Sequence, residues 1–166
     1  TLLIKAISDN RGEVPEKPLV PESPIIEETK GKKSTIRTYQ NLLKNKYDEK
    51  LFDYYFHSQL ILYDCKNKSL KKIGASAIYD KIKISPDNKY LLVEKIHKPY
   101  SYDVPYYYFP KSIEIIDLNG KPVKKIYDRP LQEEIPIGGT SVGPREFQWQ
   151  PLKDAPLVWV EALDEG

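Results

Sequence analysis

Asp64-Cys65-Lys66-Asn67-Lys68-Ser69-Leu70-Lys71-Lys72-Ile73 returns 53 residues later as Asp117-Leu118-Asn119-Gly120-Lys121-Pro122-Val123-Lys124-Lys125-Ile126. In each copy an aspartate closes a strand-like apolar run, Gln59–Asp64 in the first and Ser112–Asp117 in the second. A short turn follows, and a second run ends on Lys-Lys-Ile. Asn-Gly between two such runs, as at Asn119-Gly120, is a strong hairpin signal, because glycine reaches backbone conformations closed to other residues. Between the copies lies another hairpin. Asp80-Lys81-Ile82-Lys83-Ile84 leads into the turn Ser85-Pro86-Asp87-Asn88, and Lys89-Tyr90-Leu91-Leu92-Val93-Glu94 returns. Pro86 presets φ for that turn, and Asp87 and Asn88 carry side chains that bond to nearby backbone.

Further along, Trp149-Gln150-Pro151 echoes Ile84-Ser85-Pro86 at an offset of 65 residues. Leu157-Val158-Trp159-Val160-Glu161 then takes the part of Leu91–Glu94. Paired hairpins recurring at such intervals are the signature of a β-propeller blade, which has four antiparallel strands. The sequence therefore predicts a mainly β fold: a partial β-propeller of about two to two and a half blades. One blade spans Asp80 to Asp128, with half-blades on either side, and the Tyr- and Pro-rich loop 97–111 joins its two hairpins. Rings close with about 4–8 blades, each stabilised by its neighbours, so the chain reads as part of a larger ring. Its opening on Thr1-Leu2-Leu3-Ile4 and its close on Leu163-Asp164-Glu165-Gly166 fit the same expectation of a piece of a longer protein. Blade edges left unpaired in such a piece favour self-association.

The N-terminal third has a different texture. Pro15, Pro18, Pro21 and Pro24 recur at every third residue, the period of polyproline II, and the charged stretch Glu27–Lys33 follows. Residues 8–35 are expected to form an extended strap on their own domain, in preference to a ligand for an SH3-type groove. Residues 36–57 read as a short helical insertion. Thr38 caps a first helix through Leu42 and Leu43. Asp48 caps a second, which sets Leu51, Phe52 and Tyr55 on one face. The whole of 1–166 is then one propeller portion: strap, insertion, and blade repeats over 58–166.

Composition limits the chemistry. Of 166 residues, 26 are basic and 24 acidic, for a net charge of +2, too balanced for a dedicated nucleic-acid binder. No run approaches the roughly 20 apolar residues of a membrane-spanning helix. Cys65 is the only cysteine and His57 and His97 the only histidines, which leaves no disulfide and no Cys- or His-based metal centre; no cofactor is expected. Fourteen prolines, and thirteen tyrosines against four phenylalanines, suit strands and loops.

Gly139-Thr140-Ser141-Val142-Gly143 matches the G-x-S-x-G nucleophile elbow literally. That elbow needs a buried strand before the serine and a helix after it, with Asp and then His downstream. Pro136-Ile137-Gly138 precedes it, Pro144-Arg145-Glu146 follows, and no histidine lies beyond His97. Ser141 is therefore read as part of a glycine-rich loop between blades, and no catalytic residue is assigned. Glu27-Glu28 and Glu133-Glu134 are adjacent acidic pairs, which is no sign of the spaced carboxylates of a glycosidase. Asp87-Asn88 lacks the further ligands of a calcium loop. Cys65 has no activating neighbour. Ile96-His97-Lys98-Pro99-Tyr100-Ser101-Tyr102 gathers a cation, a titratable imidazole and aromatic rings on one loop. It reads either as a contact for a substrate carboxylate or as a loop whose tyrosines pack on proline.

From Gly12 to Glu165 the chain resembles the propeller region of the prolyl oligopeptidase family of serine peptidases, and above all its glutamyl endopeptidase branch. The likeness rests on Gly12-Glu13-Val14-Pro15-Glu16-Lys17-Pro18-Leu19, on Arg37–Lys44, on Leu51–Tyr55 with Ser58-Gln59-Leu60, and on Lys89–Val93 running into Ile96–Ser101. Phe109-Pro110-Lys111, Glu134–Ile137 and Leu157–Ala162 complete it. The resemblance implies an N-terminal propeller that covers a C-terminal α/β-hydrolase domain, admits peptides and excludes folded proteins. The Ser-Asp-His triad would lie in that hydrolase domain, outside this chain. A Glu-Glu motif for the substrate amino terminus, as in the dipeptidyl peptidase IV group, has no match here. Cleavage after glutamate implies a cation near the substrate carboxylate, and His97, Lys98 and Tyr100 are the substrate-binding candidates. Lys98 stands where arginine, the better bidentate partner, is expected. Peptides and the hydrolase domain are the implied partners, and export in bacteria or a plastid in plants the implied location. The alternative is a stand-alone propeller-like module that binds a protein or carbohydrate; a third reading makes the chain itself a hydrolase through Ser141.

Overall fold

The computed structural model describes residues 1–20, 38–135 and 138–163. Pro21, Pro24, Glu27–Lys33 and the rest of the second half of the expected strap lie outside the described residues, as do Pro136-Ile137 and Asp164–Gly166. The elements, in chain order, are β1 (Leu2–Ala6), α1 (Lys46–Phe56), β2 (Ser58–Asp64), β3 (Ser69–Ile84), β4 (Tyr90–Ile96), β5 (Lys111–Asp117), β6 (Pro122–Arg129), β7 (Arg145–Trp149) and β8 (Leu157–Val160). Strands β1 to β6 form one antiparallel succession in sequence order, and β7 pairs with β8. Among the described residues the fold is mainly β, as the repeat predicts, with one α-helix where the sequence suggests two.

Strand β3 is the pivot. The sequence reads Ser69–Ile73 and Asp80–Ile84 as separate strands, but one strand of 16 residues runs through both. Its first part pairs with β2 and its last part with β4. Between them the chain bends at Gly74, where φ is +59°, and the ladder is bulged between Ser58 and Leu60. Such irregularities turn a strand, since one extra residue bends the pleat. The bend brings the β1–β2–β3 portion face to face with the β3–β4–β5–β6 portion, and Leu60 and Ile73 pack on Tyr79, Leu91, Val93 and Ile116 between them. The four-stranded portion runs from Ile78 to Arg129, close to the expected blade of Asp80 to Asp128.

The opposite face of that sheet carries the β7–β8 hairpin. Phe147 and Trp149 pack on Leu92 and Ile113. The indole N–H of Trp149 donates to the Lys83 carbonyl at 3.0 Å, and the Lys83 ammonium donates to the Phe147 carbonyl at 2.8 Å. Three layers therefore stack, with the complete four-stranded unit in the middle. Strand β4 is covered on both sides: Leu91 and Val93 face one layer and Leu92 the other, and all three are buried. Each such side chain contributes roughly 1.5–3 kcal/mol of burial. The chemistry shared by the two copies of the repeat is also visible. Asp64 accepts the Lys66 amide at 2.9 Å, and Asp117 accepts those of Asn119 and Lys121 at 2.8 and 2.9 Å. Each aspartate holds its turn with its own carboxylate.

Three expectations about the insertion are corrected. Residues 38–44 form no helix, and α1 is capped by Asn45 in place of Asp48. The Asn45 side chain accepts the Asp48 amide at 2.9 Å, and the Asp48 carboxylate accepts the Lys44 amide at 2.8 Å. The first bond satisfies an amide the helix start leaves free; the second ties the residue before the cap to the first turn. The buried face is also different: Glu49 and Phe52 are buried and Tyr55 is exposed. Of the strap, residues 8–20 carry no strand or helix. Arg11 holds them to α1, its guanidinium lying 4.1 Å from the Tyr54 ring centre.

Candidate functional site

The loop after β4 is laid against α1, and both of its candidate polar residues meet the helix or the neighbouring strand. Glu49 and Asp53 are four residues apart on α1, so both carboxylates lie on one face. Lys98 reaches Asp53 at 3.0 Å and Glu49 at 4.0 Å. The Tyr100 hydroxyl donates to Asp53, and the Tyr102 hydroxyl to Glu49 at 2.7 Å. Lys46, one turn earlier, reaches Glu49 at 2.7 Å. His97 turns the other way: Nε2 lies 2.9 Å from the Asp128 carboxylate on β6, and Nδ1 lies 2.7 Å from the Lys98 carbonyl.

Aromatic packing fixes the loop from beneath. Phe109 is buried against Phe52, edge to face at 5.7 Å, and against Tyr100, stacked at 5.1 Å. Val104, Ile78 and Ile96 complete this cluster. Backbone bonds reinforce it, with Ser101 Oγ accepting the Asp103 and Val104 amides at 3.0 and 3.3 Å. Arg129 donates to the carbonyls of Tyr107 and Phe109, each at 2.7 Å. At the start of β5, Lys111 is buried and paired with Asp80. Burial pulls its amine below the ordinary lysine range, and the Asp80 carboxylate opposes that shift.

His97, Lys98 and Tyr100 thus sit on one loop, but each already has a partner in the chain, and Lys98 serves two carboxylates. Sequence reasoning missed Glu49 and Asp53, the acidic half of the arrangement. Their spacing of four residues behind a capping residue was the available signal. Burial raises the Tyr100 phenol first, and the Asp53 carboxylate adds to that, so it stays protonated as a donor. For Glu49, burial disfavours the charge, but hydrogen bonds from Lys46 and Tyr102 outweigh it and hold the carboxyl below its usual range.

That depression has a sign that can be tested. A carboxyl lowered by folding contributes stability that is fully present above its unfolded value, 4.5, and is lost as pH falls through the lower folded value. Wild-type protein is therefore expected to exceed Glu49→Gln in unfolding temperature near neutrality, and the gap is expected to close between about pH 5 and pH 3. Thermal melts across that range check it; a gap that widens on acidification would contradict the assignment.

Beside the loop, Leu42, Leu51, Phe52, Phe56, Val104 and Tyr106 line an apolar groove of about 370 Å³. Ser141 is elsewhere, in the loop before β7. Its carbonyl accepts from Arg145 at 3.2 Å, and a strand, Arg145–Trp149, follows it where a nucleophile elbow needs a helix. The Asp87 carboxylate accepts from Ser85 Oγ at 2.6 Å and from the Lys89 amide at 3.1 Å, which makes it a turn residue.

Against known proteins, the whole chain aligns with part of two curated plant sequences. It is 45% identical over 169 residues to a probable chloroplastic glutamyl endopeptidase of Oryza sativa subsp. japonica, covering 100% of this chain and 18% of that protein. It is 44% identical over 170 residues to a probable chloroplastic glutamyl endopeptidase of Arabidopsis thaliana, covering 100% of this chain and 17% of that protein. The chain thus spans less than a fifth of the length of these relatives. No family model matches it, and no solved structure does.

Proposed function

We propose that this chain, homologous over its whole length to one segment of the glutamyl endopeptidases, is a non-catalytic propeller segment of a serine peptidase. The observation that carries this reading is the identity along the full chain with a small part of each relative. The layered sheets support it: a complete four-stranded meander between two partial ones is what consecutive blades of a ring would supply. The remaining blades and an α/β-hydrolase domain would belong to the rest of the protein. There a serine would form the acyl-enzyme, and the propeller would admit peptides and exclude folded chains. Glutamate is the proposed residue before the scissile bond, and a plastid the proposed location in a plant source.

In this reading the loop on α1 is part of the rim that peptides pass. Its charges are set by internal pairing, so His97, Lys98 and Tyr100 would act on substrate as a fixed polar surface, with Tyr100 and Lys98 held by Asp53.

Three measurements test the proposal. The 166-residue chain alone is expected not to hydrolyse a short peptide with an internal glutamate, and the full-length protein is expected to do so. Ser141→Ala in the full-length protein is expected to leave kcat/KM within about twofold. Trp149→Ala, which loosens the contact between layers, is expected to raise cleavage of a folded protein relative to the short peptide. Hydrolysis by the chain alone, or loss of activity in Ser141→Ala, would place the chemistry in this segment. An unchanged ratio for Trp149→Ala would remove the gating role. Absence of hydrolysis in both forms would favour a binding module.

A further inference from the structure

A second cleft, of about 630 Å³, opens between residues 8–15 and the helix, with Arg11, Glu13, Lys50, Asp53, His57 and Gln59 in its walls. Arg11 is aimed by two contacts. Its Nε donates to the Tyr54 carbonyl at 2.7 Å, and its guanidinium lies on the Tyr54 ring. Both leave the terminal nitrogens without a hydrogen bond to a described residue. Lys50 has no ion pair or hydrogen bond among the described residues. The His57 Nδ1 lies 2.8 Å from the Asp53 carbonyl. A carbonyl only accepts, so Nδ1 carries a proton and is committed to the backbone.

The charge balance selects the kind of ligand. Arg11 and Lys50 are cations, and Glu13 and Asp53 are anions. Asp53, however, is already matched by Lys98 outside the cleft wall, which leaves about one positive charge unmatched. One carboxylate would neutralise it. A phosphate dianion would exceed it by one negative charge, beside the Glu13 carboxylate. A guanidinium with a fixed plane and free terminal nitrogens is the group that grips a carboxylate by two parallel bonds. Ser8 and Asn10 add neutral polar groups of the kind that bond a peptide backbone, while the Gln59 amide nitrogen is committed to the carbonyls of Leu60, Ile73 and Gly74.

We propose that this cleft binds a peptide carboxylate, with Arg11 and Lys50 as the binding residues. The carboxylate could be an acidic side chain or a chain terminus; both present the same group. The site is separate from the loop carrying His97 and Lys98, and binding there requires no hydrolysis.

The test is calorimetric titration of the full-length protein with three tripeptides. Each carries an N-methylated bond after its central residue so that it is not cut. One has a central glutamate and an amidated end, one a central glutamine and a free carboxylate, and one a central glutamine and an amidated end. The first or second is expected to bind at least about tenfold more tightly than the third, and which of them does identifies the source of the carboxylate. Arg11→Gln and Lys50→Gln are each expected to remove at least about fivefold of that preference. Arg11→Lys is expected to keep part of it, since charge remains and the fork is lost. Lys50→Gln removes a side chain without a partner among the described residues, so an unchanged unfolding temperature separates loss of binding from loss of fold. Equal affinity for the three peptides, or a preference that survives in both glutamine variants, would overturn the proposal. Either result leaves the peptidase reading standing, because that reading is tested by turnover.

Discussion

Phe109→Ala is expected to lower the unfolding free energy by about 3–5 kcal/mol. The ring is buried, and it is the piece on which three elements converge. Phe52 approaches it from α1, Tyr100 from the loop, and Ile96 and Ile78 from the adjoining strands. Removing it deletes the apolar transfer term and leaves a cavity that this mixed wall cannot easily close. The backbone here is fixed twice over, since Arg129 binds the Phe109 carbonyl and the Phe109 amide bonds to the Tyr106 carbonyl at 3.1 Å. Collapse is therefore resisted, which puts the cost toward the upper part of the range. Urea unfolding followed by fluorescence measures it. Tyr106→Ala, at an exposed ring on the same loop, serves as the comparison and is expected to stay within about 0.5 kcal/mol of wild type. If the two variants cost the same, Phe109 is not the centre of the cluster. The loss should also free Lys98 and Tyr100 from Asp53, since the aromatic floor holds the loop at hydrogen-bonding distance from the helix.

The hairpins could be read from sequence because their chemistry is local. Asp64 and Asp117 bond to amides within four residues of themselves, so the turns are written in a few neighbouring letters. The extent of the four-stranded unit followed, because Ser85-Pro86-Asp87-Asn88 and Asn119-Gly120 mark the turns of its two hairpins. Strand β3 was not readable as one element. Gly74-Ala75-Ser76-Ala77 carries no alternation of large apolar residues, and its place in the sheet is decided by Ala77 meeting Ser58 and by the bend at Gly74. Strand β1 was hidden for a related reason: Leu2 and Ile4 are exposed on an edge strand, and the pairing with β2 is what makes it a strand. The helix start was misplaced by three residues because Asn45 and Asp48 are both residue types that cap helices, and only the fold shows Asn45 accepting the Asp48 amide.

The candidate site was legible only by half. His97, Lys98 and Tyr100 stand together in the sequence, and composition alone flags them. Their partners come from an earlier helix and a later strand, and that pairing exists only after the chain has folded. Lys98 is the instructive residue. As a sequence letter it offers a cation to a carboxylate ligand; in the fold it is committed to Asp53 and Glu49. Arg11 shows the reverse. It lies in a segment that reads as a proline-rich connection, yet folding places its guanidinium on a tyrosine ring at the edge of a polar cleft. Whether a cation is available to a ligand is a property of its surroundings, and the surroundings are assembled by long-range contacts.

Gly120→Ala is the second substitution with a large expected cost, and Gly74→Ala separates its two causes. Both glycines have positive φ, +82° at Gly120 and +59° at Gly74. An L-residue in that region costs about 1–2 kcal/mol, and this part should be common to both variants. The space around them differs. A methyl group on Gly74 would meet nothing nearer than 3.7 Å, ordinary van der Waals distance. A methyl group on Gly120 would overlap the backbone N and Cα of Gly74 and lie 3.1 Å from the Ile73 carbonyl carbon. No side-chain rotation relieves a clash with backbone, so the β5–β6 turn must move off β3. Overpacking of this kind adds about 1–3 kcal/mol. It also breaks the contact of the Lys71 ammonium with Asn119, now 2.6 Å. Gly120→Ala is thus expected to cost about 2–5 kcal/mol and Gly74→Ala about 1–2 kcal/mol, read as the difference in urea midpoints at constant slope. Equal costs would mean that the turn and the bend of β3 do not touch. The larger cost at Gly120 would identify this contact as what sets the angle between the first two layers, because it is there that the β5–β6 turn meets the bend of β3.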